Sequence, residues 1–200
     1  MRRRTILSLV ALTGFSPALV PGLARAEDPR LGVRSAGKPD AKTVVNEWFS
    51  LTCTHCAAFA AETFPEVKAK LIDTGKVFYI FHDFPLDQVA LTAAMVARAL
   101  PHDRYEAFIG ALFASQDRWA FAQGVNSTDE IWKLAALAGM GRTTFDATVA
   151  DTALRDAILA GQKTDAAKWS IDSTPTFVIN GEKHAGEMDY ATFAKLVPNA

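Results

Sequence analysis

Cys53-Thr54-His55-Cys56 is the stretch of this chain whose residue types and spacing suit covalent chemistry, and it holds both of the chain's cysteines. Two cysteines three apart on the first turn of a helix close a small disulfide with little rearrangement. A helix start presents unpaired backbone N–H groups and the positive end of the helix dipole. The first sulfur is therefore favoured as a thiolate, a nucleophile or leaving group near neutral pH. Cys56, one turn inside, is better buried and suited to resolving a mixed disulfide. A zinc half-site can also begin with this spacing, but zinc needs four ligands, or three and a water. No second such pair exists, and His82, His102 and His184 are scattered. A purely structural disulfide across so short a loop would add little stability.

The dithiol needs a strand-to-helix junction, and the flanking pattern supplies one. Thr43 to Phe49 reads as a strand, with Val44, Val45, Trp48 and Phe49 on both faces, as in a strand covered on both sides. Glu47, six residues before Cys53, is costly in such a strand unless paired or protonated, so its pKa should be raised. The helix should start at Cys53, with Phe59, Ala60, Phe64 and Val67 at helical spacing and a kink or break at Pro65. Lys76 to His82 is a second apolar strand.

The next ninety or so residues are helical in pattern, with stripes at Val89-Ala93-Val96-Leu100 and Tyr105-Phe108-Ile109-Leu112-Phe113. Ser127 with Glu130 forms a capping-box signature ahead of Ile131 to Ala138, and Gly139 stops that helix. Thr143 to Val149 and Leu154 to Lys168 continue the block. Strand character returns at Thr176 to Ile179, Asn180-Gly181 makes a hairpin turn to Lys183–Ala185, and Asp189 to Val197 closes as a helix. The class is α/β, a small sheet domain with an all-helical insertion.

The 200 residues are 50% hydrophobic and 22% charged, which excludes disordered and low-complexity classes. A net charge of −1 gives no basic excess for nucleic acid. Residues 1–26 read as a cleaved export signal: Arg2, Arg3 and Arg4, then an apolar run, then Ala24-Arg25-Ala26. Gly14, Ser16, Pro17, Pro21 and Gly22 interrupt any membrane-spanning run, and Arg3-Arg4 faintly resembles a twin-arginine signal. Cleavage removes four of the 21 basic residues and none of the 22 acidic ones, moving the net charge to −5. The cysteines would then face an oxidising compartment.

The run Glu47-Trp48-Phe49-Ser50-Leu51-Thr52-Cys53-Thr54-His55-Cys56 resembles the active-site strand and helix start of the DsbA family of exported thiol:disulfide oxidoreductases. Phe84-Pro85-Leu86-Asp87 and Ser173-Thr174-Pro175-Thr176-Phe177-Val178-Ile179-Asn180-Gly181 resemble its later segments, in the same order. The resemblance implies a thioredoxin-like fold over residues 27–200 with the helical insertion at about 87–168. It makes Cys53 the exchanging sulfur and Cys56 its partner. It has His55 favour the Cys53 thiolate by charge or hydrogen bonding, and Glu47 accept the Cys56 proton. Thr54 stands where proline is common, and its hydroxyl would add a hydrogen bond. Thr174-Pro175 matches the cis-proline loop that faces the dithiol, with the Thr174 backbone pairing with a bound client. Implied are a periplasmic dithiol oxidase acting on newly exported proteins, a DsbB-type membrane reoxidant, and no nucleotide, flavin or metal cofactor. The short segment between Ala26 and Thr43 argues for a monomer. The rival readings are a disulfide reductase or isomerase, and a chaperone-like client-binding module.

Overall fold

The computed structural model describes residues 28–198, so the expected export signal lies outside the described residues. A five-stranded mixed sheet runs in the order β1-β3-β2-β4-β5. Its strands are β1 (Arg34–Ala36), β2 (Thr43–Phe49), β3 (Val77–Asp83), β4 (Thr176–Ile179) and β5 (Glu182–Ala185). The central β2 is parallel to β3, with Glu47 opposite Phe81, and antiparallel to β4, with Glu47 opposite Phe177. Successive side chains point to opposite faces. Val45 and Phe49 therefore join Tyr79, Phe81, Phe177 and Phe59 in the main core, while Trp48 packs with Phe84, Ile171 and Val178 in a second cluster. Full burial of each such side chain is worth roughly 1.5–3 kcal/mol.

The helix after β2 begins with Cys53 as its N-cap: α1 (Thr54–Ala58), a π-turn over Phe59–Thr63, α2 (Phe64–Val67), and a second π-turn over Lys68–Ile72. The break falls at Pro65 because proline lacks the N–H for the ladder and its ring crowds the carbonyl four residues back. The widened turn just before it relieves both, and Phe64 N–H closes on Phe59 O instead. Between β3 and β4 lie α3 (Gln88–Ala99), α4 (His102–Ala114), α5 (Gln116–Trp119), α6 (Ser127–Leu137), α7 (Arg142–Val149) and α8 (Thr152–Trp169); α9 (Tyr190–Lys195) closes the chain. The helical block is pinned to the sheet by a buried Arg98–Asp83 ion pair, with Tyr105 Oη–H donating to Asp83 Oδ1 at 3.0 Å. Among the described residues no helix is long and apolar enough to cross a membrane.

Three local expectations need correcting. Arg34–Ala36, within what reads as a polar lead-in, is an edge strand, made by antiparallel pairing with β3 rather than by any apolar period. The cap of α6 is Asn126, which accepts from the N–H groups of Thr128 and Asp129; Ser127 is already helical, so its capping box does not form. An asparagine one position earlier is an equally good cap. Val44 is 37% exposed, so β2 is covered on both faces only toward its Trp48 end, where α8 and the segment after it pack. The Asn180-Gly181 turn is as expected, with φ of 52° and 88°, the left-handed pair that a two-residue hairpin requires.

Candidate active site

The end of β2 delivers the dithiol to the rim of the sheet, and the loop between is tied down by side chains. Thr52 Oγ1–H donates to Asp87 Oδ2 at 2.6 Å, and Leu86 N–H donates to Ser50 Oγ at 3.3 Å. Buried Gln116, on α5, donates through Nε2 to the carbonyls of Leu51 at 2.8 Å and Cys53 at 3.0 Å. Thus the helical block holds the backbone around the first cysteine directly.

Both cysteines are free thiols, Cys53 with 9% of its surface exposed and Cys56 with none. The Cys56 N–H reaches Cys53 Sγ at 3.4 Å, as an N-cap side chain should. The Cys56 thiol, the Thr174 side chain and the N–H groups of Cys56 and His55 together outweigh burial and bring the Cys53 thiol from 9.0 down to about 5. Cys56 moves the other way: burial, followed by the neighbouring Cys53 and Glu47, pushes its pKa far up. The pair is therefore split into a stable thiolate and a reluctant one.

Pro175 follows a cis peptide bond, and the Thr174 carbonyl accepts from Cys53 Sγ–H at 3.3 Å. The Thr174 hydroxyl is buried with no partner at hydrogen-bonding distance. With the thiol protonated, the close contact is the carbonyl; once the sulfur ionises, this hydroxyl is the donor available to it.

Glu47 lies under the dithiol helix, 5% exposed. Burial raises its carboxyl from 4.5 to about 7, against the lowering effect of Tyr79, whose Oη–H donates to Glu47 Oε2 at 2.8 Å. The Cys53 charge adds to the rise. The costly buried carboxyl read from the sequence is thus both paired and raised.

Two expectations about the residues between the cysteines are corrected. The His55 imidazole is 69% exposed and faces Glu187, Nδ1 to Oε2 at 3.3 Å. It gives the sulfur a backbone N–H and not its ring, because the ring turns outward to Glu187. Thr54 is exposed and supplies no hydrogen bond to either sulfur. Two residues escaped the sequence reading, although each left a signal. Gln116 occupies the buried stripe Leu112-Gln116-Trp119 of the helical block, and Tyr79 the buried face of Val77-Tyr79-Phe81. A polar group in an apolar stripe needs a partner, and both partners belong to the site. Among the described residues no group of three or more His, Cys, Asp or Glu side chains is gathered to hold a metal.

The family model described as thioredoxin matches residues 31–199. A Rickettsia bellii protein named as a protein-disulfide oxidoreductase is 28% identical over 146 residues, 72% of this chain and 56% of that relative. The chain thus spans just over half the length of such curated relatives. Among solved structures, alpha-DsbA1 of Wolbachia pipientis is 31% identical with a TM-score of 0.77, over 84% of this chain and 89% of that one. A protein-disulfide isomerase of Novosphingobium aromaticivorans is 25% identical with a TM-score of 0.69, over 82% and 97%.

Proposed function

The chain belongs to the thioredoxin family, and we propose that it acts there as a DsbA-type thiol:disulfide oxidoreductase, a dithiol oxidase that gives its Cys53–Cys56 disulfide to client proteins. The observation that carries this reading is the unequal pair of sulfurs. A Cys53 thiolate held near pKa 5 stabilises the reduced protein, so the disulfide readily accepts electrons.

A client thiolate attacks Cys53 Sγ, forming a mixed disulfide, and the Cys53–Cys56 bond breaks with its electron pair on Cys56. Glu47, protonated about half the time near neutral pH, gives that sulfur its proton. A second client thiolate attacks the client sulfur of the mixed disulfide and releases Cys53 as the favoured thiolate. Two electrons and one client disulfide have then changed hands. The Thr174 backbone beside Cys53 pairs with the client as an added strand, a sequence-tolerant mode of recognition.

The reading extends to a monomer exported to the periplasm on the signal at residues 1–26 and reoxidised by a DsbB-type membrane partner. Its basis is the charge and apolar pattern of the N-terminus and the family resemblance. The isomerase alternative draws support from the likeness to the Novosphingobium aromaticivorans protein-disulfide isomerase.

Equilibration of the purified protein with glutathione mixtures tests the direction of electron flow. A potential above about −200 mV supports the oxidase, whereas one near the thioredoxin value of about −270 mV indicates a reductase. The Cys53→Ser variant should lose client oxidation entirely. Were it to oxidise reduced client at the wild-type rate, the assignment of the exchanging sulfur would be wrong. Fusion of residues 1–26 to a reporter active only outside the cytoplasm tests export.

A further inference from the structure

His55 stands between the two cysteines, yet the folded chain turns its ring away from them. Cys53 Sγ lies over the first turn of α1, where it accepts from the backbone N–H groups of Cys56 and His55. A sulfur within reach of that backbone N–H is also within reach of the same residue's ring, by rotation about the side-chain bonds. The ring is 69% exposed, so crowding within α1 does not hold it out. Its polar partner is Glu187, with Oε2 at 3.3 Å from Nδ1.

An exposed pair is weak where both side chains must be ordered to make it. Here the backbone that carries the carboxylate is fixed on both sides. Gly186 N–H donates to Pro175 O at 2.8 Å, tying the segment after β5 to the loop that meets Cys53. Buried Thr63 Oγ1–H donates to Met188 O at 2.8 Å, tying the same segment to the dithiol helix. Glu187 is the residue between these anchors. Gly186 turns the chain there with φ of 92°, and an added Cβ would meet nothing within 4 Å, so glycine answers to conformation and not to space. Gly186-Glu187-Met188 thus bridges the two walls of the dithiol and sets a carboxylate against the His55 ring.

We propose that Glu187 is a positioning residue that holds the His55 imidazole off Cys53 Sγ, and so keeps the reduction potential of the dithiol below what an unrestrained His55 would give. The proposal rests on the reading of Cys53 as the exchanging sulfur. Held by Glu187, the ring gives its N–H to a carboxylate. Released, it gives that donor to the Cys53 thiolate, and a hydrogen bond to the charged form favours that form. A more favoured thiolate makes the reduced protein more stable and the disulfide more oxidising. Glu187 is therefore a brake on oxidising strength, fixed to the same loop that meets the sulfur.

The test is a double-mutant cycle of Glu187→Ala and His55→Ala in the full chain, read by thiolate absorbance against pH and by glutathione equilibria. Both side chains are exposed, so neither change opens the core. Glu187→Ala should lower the Cys53 thiol by about half a unit and shift the glutathione equilibrium about threefold toward the reduced protein. Both shifts should vanish when His55 is also alanine. Thr63→Val, which cuts one anchor and keeps the side-chain shape, should move the thiol the same way by a smaller step. If Glu187→Ala leaves the thiol unmoved or raises it, the ring is not being held and the proposal fails. If the same drop appears in the His55→Ala background, the carboxylate acts on the thiolate by its own charge, and the positioning role fails. A wild-type potential in the thioredoxin range overturns the oxidase reading alone, since the thiol shift reads Cys53 whatever the direction of electron flow.

Discussion

Thr174→Val separates the two ways in which the loop before Pro175 serves the dithiol. The substitution keeps the shape and the carbonyl that Cys53 Sγ–H meets at 3.3 Å, and removes only the buried hydroxyl that has no partner. A hydrogen bond to a charged acceptor is worth about 1.5–3 kcal/mol. Cys53 keeps contact with water, and screening cuts this to about 1 kcal/mol. At about 1.36 kcal/mol per pKa unit, the Cys53 thiol should move from about 5 up by roughly 0.5–1 unit.

The sign at neutral pH follows from linkage. A depressed thiol pKa stabilises the reduced protein fully above the unfolded thiol value and progressively less as pH falls through about 5. At pH 7 the variant is still ionised, so the loss appears as a less stable reduced form, and the potential falls by about 20 mV. The oxidised form, relieved of an orphan hydroxyl, should gain about 1 kcal/mol against unfolding. Ultraviolet thiolate absorbance against pH reads the first effect, glutathione equilibria the second, and urea unfolding of the oxidised protein the third. A thiol pKa that stays put or drops in Thr174→Val would refute the assignment of that hydroxyl to the thiolate.

Three further substitutions test the surrounding architecture. Glu47→Gln should stabilise the protein above pH 7 by about 1–3 kcal/mol and leave it unchanged below pH 4.5, because a carboxyl raised from 4.5 to about 7 disfavours the native state across that window; urea unfolding at both ends of the range reads this. Gln116→Ala leaves the buried carbonyls of Leu51 and Cys53 unpaired, and should cost about 2 kcal/mol in thermal or urea unfolding. His55→Ala should move the Cys53 thiol by less than about half a unit, since the ring contacts Glu187; a thiolate titration showing a rise beyond one unit would place the imidazole on the sulfur after all.

The parts of this molecule that chain-local physics decides were legible in its sequence. The apolar run of β2, the cysteine spacing at a helix start, the Asn180-Gly181 turn and the apolar stripes of the helical block all appear where local pattern puts them. What stayed hidden was set by partners distant in the chain. β1 is a strand because β3 needs an edge neighbour, and Arg34–Ala36 carries no period of its own. His55 pairs with Glu187 across the hairpin that follows β4, a contact that no spacing within α1 announces. Gln116 and Tyr79 were intermediate cases. Each is a polar group in a buried stripe, a visible demand for a partner, but only the folded chain identifies that partner as the Cys53 loop or as Glu47.

The asymmetry of the two sulfurs has a consequence for how rate and equilibrium are controlled. Attack at Cys53 makes Cys56 the leaving group, and a thiol whose pKa is raised leaves slowly unless it is protonated as it departs. The stability of the reduced form, by contrast, depends on Cys53, through the cap N–H groups and Thr174. Equilibrium and rate thus belong to different residues on opposite sides of one helical turn. Substitution at Thr174 should move the potential with little effect on how fast the disulfide opens. Substitution at Glu47 should slow the opening while the potential near pH 7 rises only slightly, since Glu47 meets the Cys53 charge through space and makes no hydrogen bond to that sulfur. Measured together on the same preparations, the two variants therefore distinguish this division of labour from a site in which one residue governs both.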